Sequence, residues 1–95
     1  LVVNETFSVI GARFARAFND AWSEPEGVQD LGYTMTLGEN PAPRRGAQVF
    51  VEVEGKMLFQ GYLRPNRRQI QQAARRAVQR ATIYLQKYYE PREVY

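Results

Sequence analysis

Glu52 and Glu54, two positions apart, are the nearest approach to an acid–base pair in this sequence. On a strand they share a face, where two carboxylates are ordinarily solvated rather than poised about a glycosidic bond. Ser8 and Ser23 have no histidine to activate them, because the chain contains none, and with no cysteine there is no thiolate nucleophile. The same two absences remove the usual zinc and soft-metal ligands. Gly38 and Gly46 are separated by Pro41 and Pro43, so they form no glycine-rich phosphate cradle. These residue types argue against an enzyme and imply neither cofactor nor metal centre.

Arginine and aromatic residues are the remaining chemistry. Arg67, Arg68, Arg75, Arg76, Arg80 and Lys87 crowd one C-terminal segment. The net charge of +3 is unevenly divided: two basic residues face six acidic ones before position 44, and eleven face four from there on. Such polarity suits an acidic partner or head-to-tail self-association. Arginines on a helix also neutralise phosphates, so a basic nucleic-acid-binding domain is the alternative function. Against it stand the acidic first half and the lack of a recognition-helix pair or an RNP-like aromatic pair.

The elements that must position these residues follow from hydropathy. At 95 residues, 44% hydrophobic and 13% aromatic, residues 1–95 are expected to fold as one small domain rather than remain disordered. No apolar run approaches the roughly 18 residues of a membrane span. Ile10, Phe14, Ala17, Phe18 and Ala21 recur at helical spacing from Phe7 to about Trp22, with Thr6 as the N-cap. Leu31, Tyr33, Met35 and Leu37 alternate as a half-buried strand, and residues 38–43 read as a stiff loop. Val49, Val51 and Val53 form a second strand, and Met57, Phe59, Gly61 and Leu63 a third. A three-residue hairpin loop with a bulge keeps both apolar sets on one face, pairing Val53 with Met57 and Val51 with Phe59. Pro65-Asn66 then opens a helix from Arg67 to about Tyr89, whose stripe is Ile70, Ala74, Ala77, Val78, Ala81, Leu85 and Tyr88. Pro91 ends it and leaves residues 90–95 as a flexible tail.

The expected fold is therefore α+β in the order α-β-β-β-α, a three- to four-stranded antiparallel sheet with both helices packed on one face. With the valines turned inward, Phe50, Leu58 and Tyr62 point outward beside Gln48, Glu52 and Gln60. That face is either covered by a segment such as the N-terminal one or offered to another protein.

At this point the residues resemble a known family. Leu1 to Gly11 (LVVNETFSVIG), then Phe14, Arg16 to Phe18 and Trp22, are similar to the N-terminal helix region of CsgE, the curli production assembly/transport component. Asn40 to Gly46 (NPAPRRG) resembles its Pro-x-x-Arg-x-Gly loop. Phe59 to Pro65 (FQGYLRP) followed by Arg68 resembles its third strand and the start of its last helix. The resemblance implies a periplasmic protein with its signal peptide removed. It implies binding of curli subunits such as CsgA and suppression of premature amyloid assembly. It also implies delivery to the outer-membrane channel CsgG and capping of that channel as a nonameric ring, without membrane insertion or nucleic acid.

Family members carry tryptophan where this chain has Arg45 and near Gln48, and a bulky apolar residue near Arg76, so ring contacts made by those aromatics would pass to charge or weaken. The candidate partner and oligomer contacts are Arg44, Arg45, Phe50, Leu58, Tyr62, Arg68, Arg75 and Arg76. Asp20, Glu24, Glu26 and Asp30 form the acidic counter-patch.

Overall fold

A computed structural model describes residues 1–42 and 44–89; Pro43 and the expected tail, 90–95, lie outside the described residues. The elements are β1 (Val2–Glu5), α1 (Val9–Ala21), β2 (Met35–Asn40), β3 (Ala47–Val53), β4 (Lys56–Leu63) and α2 (Arg67–Lys87). They build an α+β fold around a four-stranded sheet of order β1-β2-β3-β4. The three strands read from alternation pair antiparallel, and β1 adds to them in parallel along β2. The valine side of the sheet is buried: Met35, Leu37, Val49, Val51 and Val53 are in one cluster with Phe14 and Phe18 of α1 and Ile70, Ala74, Ala77, Ala81 and Leu85 of α2. Both helices thus cover one face, as expected.

β1 is the element that hydropathy does not announce. Four residues, VVNE, are too few to show a period, and their partners lie more than thirty positions away. The strand leads through α1 into β2, the crossover that parallel neighbours require. Its presence also moves the start of the helix. Asn4 Oδ1 accepts both the backbone N–H (2.9 Å) and the hydroxyl (2.6 Å) of Thr6, so the expected cap is already engaged in a local turn. Ser8 caps α1 instead, its Oγ accepting the Gly11 N–H at 2.9 Å.

β2 runs later than alternation suggested. Gly38, Glu39 and Asn40 continue the strand opposite Phe50, Val49 and Gln48, while Leu31 and Tyr33 precede it. The ladder stops at Pro41, the first residue that cannot donate to it. The hairpin is closed by two residues, not three. Glu54 and Gly55 both have positive φ (49° and 83°), so Val53 pairs with Lys56. The extra residue sits inside β4 instead: the register shifts between Val51 and Glu52, leaving Leu58 bulged between Met57 and Phe59. The bulge restores Phe59 to the core face opposite Val51, which is the pairing the side-chain period demands.

In α2, Asn66 Oδ1 accepts the Gln69 N–H at 3.0 Å. The buried stripe gains Ala73, and Val78 is only half-buried. Small side chains along this stripe let α2 lie against α1, where Gly11 and Ala15 are also buried. The helix ends at Tyr88, which is 67% exposed rather than part of the stripe; Tyr84 and Tyr89 pack on the core in its place. Tyr89 meets Tyr33 edge-on at 6.3 Å between ring centroids.

Candidate functional site: an arginine groove and an amide-aromatic sheet face

Two helices side by side on a sheet leave a furrow between their outer faces. Here it is a groove of about 560 Å³ lined by Arg13, Arg16, Ala17, Asp20 and Ala21 of α1 and by Arg67, Ile70, Gln71 and Arg75 of α2. A second hollow of about 370 Å³ shares Arg67, Gln71 and Arg75 and adds Arg68 and Gln72. Four guanidinium groups around an apolar floor of alanine and isoleucine suit a polypeptide segment that carries carboxylates. Of the residues singled out from sequence, the fold brings Arg68 and Arg75 to these hollows. Arg76 is exposed on α2 but lines neither. Arg13 and Arg16 were not singled out, and Arg67 was named only among the basic residues of the nucleic-acid alternative. The spacing of Arg13 and Arg16 puts them on one helical face, yet no sequence pattern reveals which helix lies alongside.

The acidic residues separate. Asp20 lines the arginine groove, so it belongs to the basic surface. Glu24 accepts the Tyr33 hydroxyl at 2.8 Å. Burial, then this hydrogen bond and the Glu24 charge, push the Tyr33 phenol well above its ordinary value of 10.0. Glu26 and Asp30 are exposed in the segment between α1 and β2.

Across the sheet from the helices, side chains align in rows. Register places Gly38, Phe50 and Gln60 in one row and Asn40, Gln48 and Tyr62 in the next. The Phe50 ring lies over Gly38, so closely that a Cβ there would collide with it, and Tyr62 covers Gly46 in the same way. These two glycines are what let the aromatic rings lie flat on the sheet. Phe50 is half-buried by this arrangement and Tyr62 stays 43% exposed. The N-terminal segment does not cover the face; it is the edge strand β1. Leu58 departs from expectation. As the bulged residue it packs at the margin of the core cluster, and Met57, 44% exposed, takes the place opposite Glu52. Arg44 and Arg45 are exposed in the loop before β3.

One functional-looking carboxylate is structural. Glu39 is buried, and its Oε1 accepts the backbone N–H groups of Phe7 and Ser8, each at 2.7 Å. No acidic residue occupies the first turn of α1, so the sheet supplies the negative charge for that helix end.

These features describe a small α+β protein with one basic groove, one amide-aromatic sheet face, and no cluster of metal-ligating side chains among the described residues. No described helix is long and apolar enough to cross a membrane. The chain belongs to the family described as curli assembly protein CsgE, whose sequence model matches residues 1–94. It is 34% identical over 68 residues to the curli production assembly/transport component CsgE of Escherichia coli O157:H7, a match covering 72% of this chain and 49% of that protein. It is 36% identical over 69 residues to the component of the same name from Salmonella typhi, covering 72% and 48%. The chain thus spans about half the length of the curated relatives it matches.

Proposed function

We propose that this chain is a periplasmic accessory protein of curli secretion that binds curli subunits, holds them off premature amyloid assembly, and brings them to the outer-membrane secretion channel. The observation that carries this reading is the family match over residues 1–94, joined to a fold with two unlike surfaces on opposite sides of one core. A holdase needs no reactive group. It needs surface that competes with strand-to-strand association, and the face bearing Phe50 and Tyr62 offers aromatic area on an ordered sheet. On the opposite side, the arginines at positions 13, 16, 67, 68 and 75 suit an acidic partner, either the channel mouth or the segment around Glu26 and Asp30 of a neighbouring copy. A ring covering the channel requires such unlike, non-self-complementary patches. In that ring Arg45 and Arg76 would supply charge where family members place an aromatic or bulky apolar side chain, and Arg44 would keep the arginine of the family loop.

The test is the fibre-formation lag of a purified curli subunit, followed by thioflavin fluorescence, with the folded protein added below equimolar amount. A lengthened lag supports the reading. An unchanged lag, with the protein shown folded by circular dichroism, overturns it. Co-purification of the outer-membrane channel with this chain as bait tests the delivery step separately.

A further inference from the structure

We infer that the free edge of β4, from Phe59 to Leu63, receives an extended client segment as a fifth strand and selects segments rich in amide and aromatic side chains and free of positive charge. The inference rests on the client-binding reading above and specifies its site.

β4 ends the sheet, and among the described residues no strand pairs with its outer side. An edge of this kind presents backbone N–H and C=O groups that only another extended chain can satisfy in series. The two halves of the strand differ. The first is closed to such pairing: it begins at Lys56, is interrupted by the bulge at Leu58, and has the Arg80 Nη1 donating to the Leu58 carbonyl at a long 3.5 Å. Arg80 is fixed there by its position over the Phe59 ring, 5.6 Å from the centroid. From Phe59 onward the register with β3 is regular, and neither proline nor charge occurs before Arg64.

Side chains then set the selectivity. Gln60 and Tyr62 are the exposed ends of the rows that run through Phe50 and Gln48. An added strand would place its outward side chains beside them, where an amide can hydrogen-bond Gln60 and an aromatic ring can pack on Tyr62. Amide ladders and stacked aromatics are the contacts by which cross-β assemblies grow, so the site fits the segments most prone to such growth. Lys56 and Arg64 bracket the edge, repelling basic segments and favouring neutral or acidic ones. The opposite sheet edge is the short parallel β1, which ends in Asn4 and Glu5 and gives an added strand no continuation through the sheet. Pairing with β4 therefore occupies one edge of the bound segment, an edge that another client strand would otherwise take.

Backbone amide exchange of the isotope-labelled chain, measured by NMR with and without an unlabelled purified curli subunit, reads this directly. Alternate amides within residues 59–63 are expected to slow by about tenfold or more, while those of β1 do not. Gln60→Lys and, separately, Tyr62→Lys are expected to remove both the protection and the lengthened fibre lag while leaving the circular dichroism unchanged. Gln79→Lys on the exposed side of α2 should retain both. A lengthened lag with no change in the β4 amides overturns strand addition and leaves the client-binding reading standing. An unchanged lag overturns both.

Discussion

Replacing Gly11 by alanine sets two physical effects against each other at one atom. Helix propensity alone favours the change by up to about 1 kcal/mol, because alanine loses less backbone entropy than glycine. The structure predicts the opposite sign. A Cβ on Gly11 would collide with Glu39 Oε1, stand 2.8 Å from its Cδ and 3.1 Å from the Thr6 Cβ. The carboxylate cannot yield without releasing the two N–H groups it holds at 2.7 Å. Each hydrogen bond to a charged group contributes about 1.5–3 kcal/mol, so loss of both outweighs the propensity gain and leaves a net destabilisation of about 2–5 kcal/mol. For a domain of this size, at about 4–8 °C per kcal/mol, that lowers Tm by roughly 8–40 °C.

The assay is urea unfolding of four proteins: the parent, Gly11→Ala, Glu39→Ala and the double variant. With Glu39 truncated, the collision disappears, and Gly11→Ala is expected to be neutral or stabilising by up to about 1 kcal/mol. A Gly11→Ala protein as stable as its parent would refute the reasoning, because the alanine would then fit without disturbing the cap. So would the same loss in both backgrounds, since the cost would then lie elsewhere than at Glu39.

Other expectations rest on independent contacts. The raised Tyr33 phenol means that the folded state resists its ionisation, so the stability it contributes is complete below pH 10 and is lost as pH rises through and above that value. Tyr33→Phe should flatten that alkaline decline in denaturation curves while costing about 1 kcal/mol at neutral pH for the hydrogen bond to Glu24. Gly38→Ala, forcing the Phe50 ring off the sheet, should destabilise by about 1–3 kcal/mol and alter the near-ultraviolet dichroism, whereas an unchanged spectrum would mean that the ring does not depend on the glycine. Arg13→Glu combined with Arg75→Glu should abolish any salt-sensitive self-association seen by sedimentation at low ionic strength without loss of secondary structure. Undiminished association would move that interface away from the groove.

Much of the fold is legible along the chain because burial imposes periods on it. The valines of β3 alternate, Phe14 and Phe18 of α1 and Ile70, Ala74, Ala77, Ala81 and Leu85 of α2 repeat at helical spacing, and every one of them is buried. Asn66 caps α2 as its type and place suggest. That Phe50 and Tyr62 share the opposite face followed from the same alternation, since side chains next to an inward valine must point the other way; that the N-terminal segment leaves that face uncovered did not. What local pattern misled were features decided by competition. Thr6 has the chemistry of a cap, but Asn4 engages it first. The hairpin could place its extra residue in the turn or in the strand with the same effect on Phe59, and the positive φ open to Glu54-Gly55 decided for the strand. Tyr88 fits the helical stripe by spacing, yet the helix ends there and Tyr89 takes the contact with Tyr33.

By itself, then, the amino-acid order determined which residues are apolar at which spacing. From that came the helices, three of the strands and the buried valine side; composition alone removed histidine and cysteine chemistry, and the family came from the resemblance of particular motifs. Only the tertiary structure decided that Val2–Glu5 joins the sheet, that Glu39 belongs to a helix it does not precede, and that Arg13 and Arg16 face Arg67 and Arg75 across one groove. The reason is common to all three. A period reports what one segment buries, whereas a parallel strand pair, a cap supplied by another element and a cleft between helices depend on which distant segment arrives beside it, and no local repeat encodes that.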